Sequence, residues 1–129
     1  MIAPTLPSDD TERLAALHAL KILDSPAEER FERIVRIAQG LFGVPIVAIS
    51  LVDDDREWLK ACRGTAGNEG PRDASFCGHA ILSDEPLVVE DALADLRFAD
   101  NPQVVHDGIR FTPERRSTPP PASASARSV

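Results

Sequence analysis

The chain has 129 residues, 43% hydrophobic and 27% charged, with a formal net charge of -7 and a pI near 4.9. That length and composition predict one domain with an ordinary core, and the acidic balance argues against nucleic acid or an anionic membrane as partner. No apolar window approaches the roughly 18 residues a spanning helix needs. Two cysteines are too few for a secreted disulfide framework, and Met1-Ile2-Ala3-Pro4 lacks signal-peptide character, so the expected location is the cytoplasm.

In chain order, residues 1–7 read as a flexible N-terminus. Asp9 and Glu12 form a capping-box pair that predicts a helix over about residues 10–23. Ser25-Pro26-Ala27-Glu28 is a second start signal, with a capping serine and a proline at the first helical position. Behind it Phe31, Ile34, Val35, Ala38, Leu41 and Phe42 recur at helical spacing, and Gly43 followed by Pro45 predicts the end. Residues 46–52 form a β-branched run of strand length whose near-continuous apolarity predicts burial. Asp53-Asp54-Asp55 is a turn, and residues 57–62 return as the second strand of an antiparallel hairpin. Residues 63–73 have loop composition. A short helix is expected over Cys77–Leu82, a strand over Leu87–Val89, a loop with a turn or two of helix over residues 91–105, and a strand start at Ile109-Arg110-Phe111.

The candidate chemistry gathers around Ser75-Phe76-Cys77-Gly78-His79. Near a helix N-terminus the macrodipole lowers a thiol's pKa, which favours a reactive or redox-sensing Cys77, with Cys62 as a possible partner. Against this stands a small buried cysteine that only packs the short helix. His79 reads either as a pocket residue or as a local backbone cap. Phe76 and Trp58 complete the candidate ligand contacts, although a strand tryptophan is more often core. Cys62, Cys77 and His79 lack the paired spacing of a zinc site, and the Asp53–Asp55 run lacks the rest of a calcium loop, so no metal is expected. No cofactor is expected either. Gly64, Gly67 and Gly70 do not form a phosphate loop, and the acidic 91–101 segment reads as a solvated loop.

Several ordered motifs carry a resemblance: Glu28-Glu29-Arg30-Phe31-Glu32-Arg33-Ile34, Phe42-Gly43-Val44-Pro45-Ile46, Ser50-Leu51-Val52-Asp53, Trp58-Leu59-Lys60, Ser75-Phe76-Cys77-Gly78-His79-Ala80-Ile81 and Ala99-Asp100-Asn101-Pro102. Over about residues 8–111 the chain resembles the GAF domain, in the branch found ahead of bacterial diguanylate cyclases and sensor histidine kinases. The resemblance implies an α+β fold, an antiparallel sheet with helices on one face and a ligand pocket on the other. It implies a sensory module that binds an unknown small molecule and passes a change to a covalently linked output domain in intact relatives. Any cyclase or kinase activity would lie in that output domain. The first two helices are candidate homodimer surfaces. The alternatives are a cysteine-dependent reductase of free methionine sulfoxide, a GAF-fold enzyme that relies on pocket cysteines, and a non-functional remnant of a longer signalling protein.

After Phe111 the resemblance stops. The branch continues Tyr-Ala-Gly-Ala-Pro-Leu, whereas here Thr112-Pro113-Glu114-Arg115-Arg116 leads into a Pro/Ser/Ala/Arg-rich tail. That composition predicts disorder over residues 112–129 and a fold incomplete at the C-terminus. Back-translated with GC-rich synonymous codons and read one base out of frame, the tail can give Tyr-Ala-Gly-Ala-Pro-Leu and a family-like sequel. A frameshift after Phe111 accounts for this, with an ordinary linker as the alternative. Loss of the last strands would leave the strand at residues 46–52 with an unpaired edge.

Overall fold

The computed structural model describes residues 1–65, 67–110, 112–117 and 126–128. Among these residues the elements run α1 (Asp10–Ala19), α2 (Glu29–Phe42), β1 (Val47–Val52), β2 (Arg56–Arg63), β3 (Glu69–Pro71), α3 (Phe76–Ala80), β4 (Leu87–Val89), α4 (Pro102–Val105), β5 (Thr112–Ser117) and β6 (Ala126–Ser128). The sheet is antiparallel throughout, in the order β3-β2-β1-β6-β5-β4. This is the expected α+β architecture.

All six residues of β1 are buried, as its unbroken apolar run requires. Alternation along the strand sends Val47, Ile49 and Leu51 to one face, where Val47 and Ile49 meet Val35 of α2 and Leu51 meets Leu17 of α1. Ser50 and Val52 point the other way, to Cys77 of α3 and to Cys77 and Ile81 respectively. The sheet therefore carries α1 and α2 on one face and α3 on the other. A bulge between Ile49 and Ser50 sets two residues of β2, Lys60 and Ala61, into the space of one. Lys60 then runs into the α2 side, where Nζ donates to Ser25 Oγ (2.6 Å) and Pro26 O (2.7 Å) and pairs with Glu28 Oε2 at 2.7 Å.

Several local expectations are corrected. α1 ends at Ala19 rather than 23, and Asp9 makes no side-chain cap. α2 begins at Glu29, not Pro26, because Ser25 Oγ donates to Ile22 O and accepts from Lys60 instead of capping a helix. Gly43 does close α2, at φ 62°, in the left-handed conformation that glycine adopts without steric cost. The expected single stripe of α2 divides: Val35 is buried and Phe31 and Ala38 pack beside it, whereas Ile34, Leu41 and Phe42 are exposed. The 63–73 loop contains β3, paired with Arg56–Trp58 of β2 through backbone groups that composition does not reveal. The acidic 91–101 segment is not simply solvated, since Ala92 and Phe98 pack against Phe76, Val89 and Val104.

The strand expected from Ile109 starts at Thr112, as β5, and Phe111 lies outside the described residues. Two stretches expected to be disordered, 112–117 and 126–128, are strands; residues 118–125 and 129 lie outside the description. β6 pairs with Ile49–Leu51, so the expected bare edge of β1 is occupied there. Ladder formation uses main-chain groups, which a polar sequence supplies as well as an apolar one.

Candidate functional site

The face of the sheet under α3 is the candidate site. Ser75 starts the short helix: its Oγ accepts from Gly78 N at 2.9 Å and donates to Arg72 O at 2.7 Å. Cys77, 2% exposed, is thereby held over β1 with its Sγ 3.0 Å from Ser50 Oγ. Cys62 lies opposite Ala48 in the β1–β2 register, on the side of the sheet that Ser50 occupies, and it is less deeply buried than Cys77. Neither Cys62 nor Cys77 is in a disulfide.

His79 does not join Cys77. Two residues along a helix turn the side chain by about 200°, so the imidazole leaves α3 on the side away from Ser50. Its Nε2 donates to Ile2 O at 2.8 Å, and its ring meets Phe98 edge-on at 5.0 Å between centroids. Burial lowers the imidazole's pKa, as does the nearby Arg97 charge, against the opposing pull of the Ile2 carbonyl. His79 is thus a neutral donor tying residues 1–2 to α3, and Ile2 N reinforces the tie by donating to Arg97 O at 3.0 Å. Phe76 stacks on Phe98 with centroids 4.3 Å apart, inside the cluster that holds the 91–105 segment against α3. Trp58 is on the other side of the sheet, 4% exposed and packed with Leu17 and Leu51. Its place opposite Leu51 fixes that side, since directly paired residues share a face. Of the candidate contacts, then, the structure brings Cys77 to Ser50, puts Cys62 on the same face, and separates Trp58 and the His79 ring from them.

Sequence reasoning missed Ser50, which alternation along a near-continuously apolar run could have marked as the one polar residue of β1. It also missed a buried charge cluster that fixes α3. Arg72 donates to both Asp10 oxygens (3.2 and 3.0 Å) and to Asp53 O (3.0 Å), while Arg13 donates to Asp10 Oδ1 (2.9 Å) and Val52 O (2.5 Å). Burial pushes the Asp10 carboxyl up, but these two guanidiniums outweigh it and hold the group below its ordinary value. The cluster pins α1, the end of β1 and the turn leading into α3 to one another.

A cavity of about 270 Å³ opens elsewhere, between the end of α1 and the β1–β2 turn, with Leu17, His18, Lys21, Asp24, Asp53 and Arg56 in its wall. Its charges largely satisfy one another. Arg56 forks onto Asp24 (2.9 and 2.6 Å) and reaches Glu69 (2.8 Å) and Asp53 (3.2 Å), and His18 sits 2.7 Å from Asp53. The Asp24 hydrogen bonds raise the Arg56 pKa further, so this cation is permanent. None of the candidate ligand contacts lines the cavity.

Comparison with known proteins agrees with this geometry. Over 112 residues the chain is 40% identical to "Cyclic di-GMP phosphodiesterase PA2567" of Pseudomonas aeruginosa, covering 86% of this chain but 19% of that protein. Solved structures share the fold. The nlh2 GAF domain of A. Aeolicus in an inactive state has a TM-score of 0.59 at 11% identity, covering 92% of this chain and 78% of that one. The GAF domain of an Acinetobacter phosphoenolpyruvate-protein phosphotransferase gives 0.59 at 17% identity, with coverages of 91% and 75%. A free methionine-R-sulfoxide reductase from Neisseria meningitidis, solved with its substrate, gives 0.61 at 18%, with coverages of 99% and 78%. The GAF domain family pattern itself matches residues 26–112, from the entry to α2 through the first residue of β5. That span contains α3, β1 and the Ser50–Cys77 contact, and the chain belongs to the GAF domain family.

Proposed function

We propose that the chain is a small-molecule-binding regulatory module of bacterial signal transduction, working in the cytoplasm as part of a longer sensor protein. The observation that carries this reading is the family match together with α3 seated over the Ser50 face of the sheet. The phosphodiesterase relative, of which this chain spans about a fifth, suggests an output domain in cyclic di-GMP signalling. Catalysis would belong to that domain. A thermal-shift survey of amino acids and cyclic nucleotides tests the reading: a ligand raises Tm in the parent chain, and Ser50→Leu, which fills the face under α3, abolishes that rise.

Cys77, Phe76 and Cys62 remain the proposed contacts on the α3 side. Trp58 and His79 are proposed instead to hold the scaffold, Trp58 from the helix face and His79 through Ile2. The reductase reading is the weaker one, because Cys77 is hydrogen-bonded to Ser50 and away from His79. For dimers, the exposed row Ile34, Ile37 and Leu41 on α2 is the proposed surface. The tail is proposed to result from a one-base frameshift. The coding DNA across the Phe111 codon tests that: the shifted frame should restore an apolar continuation and run into an output domain.

A further inference from the structure

α3 is held on two sides. On its inner side Cys77 and Ile81 pack with Val52, and the Cys77 Sγ lies 3.0 Å from Ser50 Oγ; all four residues are buried. A molecule received between α3 and β1 therefore has to displace the helix. Along its outer side runs the N-terminal stretch. Ile2 is gripped through both backbone groups: its N–H donates to Arg97 O at 3.0 Å, and its carbonyl accepts from His79 Nε2 at 2.8 Å. Two residues on, Pro4 crosses α3 at Gly78, where a Cβ would lie 2.7 Å from the Pro4 ring, so the absence of a side chain permits the approach. The stretch then enters α1, whose Asp10 holds Arg72 in the turn leading into α3. These two attachments differ in strength. The Asp10–Arg72 pair is buried and charged. The outer attachment rests on the two Ile2 hydrogen bonds, the Pro4 contact and a surface ion pair of the Met1 ammonium with Asp100, and Ile2 is 53% exposed. Segments held by few buried contacts are the first to open, and exposed ion pairs add little to such a hold.

We propose that residues 2–4 are a strap that latches α3 shut over the Ser50 face, so that admission of a small molecule beneath α3 is coupled to release of the strap. The coupling is reciprocal. Loosening the strap raises the fraction of chains open to the molecule, and a molecule bound beneath α3 drives the strap off. The Asp10–Arg72 pair stays closed and acts as the pivot, because it anchors the Ser75 end of the helix. This inference rests on the reading that the Ser50 face receives the ligand. It puts Gly78 and His79, which meet the strap, in control of that face rather than in contact with what binds there.

N-ethylmaleimide on the full chain reads the latch without any ligand, with labelling followed at each cysteine by mass spectrometry. Cys77 reacts only in chains whose α3 has come away from β1, a local unfolding, so its rate follows the open fraction; the more accessible Cys62 is the internal reference. His79→Phe keeps an aromatic ring against Phe98 but removes the donor to Ile2 O. It should raise the Cys77 rate about fivefold, the effect of one net hydrogen bond, and leave Cys62 unchanged. His79→Gln, whose amide still donates, should stay within about twofold of the parent. Pro4→Gly changes a residue outside the core and should also raise the Cys77 rate, which keeps the test open should a His79 variant misfold. The near-UV signal of Trp58 reports that each chain is folded. In low urea the Cys77 rate should climb with a shallower slope than complete unfolding, which exposes more surface. A Cys77 rate unmoved by His79→Phe and by Pro4→Gly, a His79→Gln rate equal to that of His79→Phe, or a slope equal to that of complete unfolding would each overturn the latch. A ligand-induced Tm rise can be present with the latch overturned and absent with it upheld, so the two readings fail separately.

Discussion

At Asp10 one carboxylate serves two guanidiniums inside the protein, those of Arg13 and Arg72. Removing the shared anion leaves two buried cations, so Asp10→Asn should cost about 3–5 kcal/mol at neutral pH, read by urea unfolding. The sign of the pH dependence follows from the lowered pKa. Asp10 contributes its full stabilisation above its ordinary value of 3.8, and the contribution is lost as pH falls through the lower folded value. The parent should lose stability over that acid limb, and Asp10→Asn should flatten it. Trp58 makes a different point. Tryptophan in a strand is compatible with ligand or core, and alternation against Leu51 decides for core. Trp58→Ala should therefore destabilise by about 3–5 kcal/mol, whereas Trp58→Phe should leave ligand-induced Tm shifts intact. Neither the Asp10 cluster nor the side of Trp58 was legible in sequence. Both depend on contacts between residues as far apart as Asp10 and Arg72, or on a bulge that reverses alternation.

At the scale of elements, α3 controls access to Cys77. Cys77 is covered by β1 and by its own helix, and Cys62 is partly open to solvent. A thiol reagent such as DTNB should label Cys62 in the folded chain and Cys77 only after unfolding; equal rates at both would remove α3 from its place over Ser50. α2 carries the opposite problem, an exposed apolar row with Leu41 at 74%. Ile37→Glu/Leu41→Glu should shift sedimentation toward monomer without lowering Tm, because neither residue contributes to the core. Periodicity located α2 correctly and Gly43 marked its end, but apolar spacing alone cannot divide a wide stripe into a buried half and a bare half. The helix starts were misjudged because Asp9 and Ser25 are good caps by type, while Ser25 is taken by Lys60. β3 was missed because its three residues, Glu69–Pro71, carry no apolar alternation.

At the scale of the whole molecule, six short motifs in order made the family legible without any periodicity argument, and the sheet with helices on one face follows from it. The tail was less legible. Its composition argues for disorder, yet an open edge on a buried strand recruits backbone partners whatever their side chains. The candidate contacts were legible as a cluster around residues 75–79, but not their directions, which a short helix splits between the sheet and the N-terminus. What the chain does reduces to whether the thiol over Ser50 is structural or catalytic. The most direct measurement is consumption of free methionine sulfoxide by the folded chain with excess dithiol, beside its Cys77→Ser variant. A regulatory module gives no turnover above buffer while near-UV dichroism shows Trp58 in its packed environment. Turnover by the parent that disappears in Cys77→Ser would contradict that account and make this domain an enzyme.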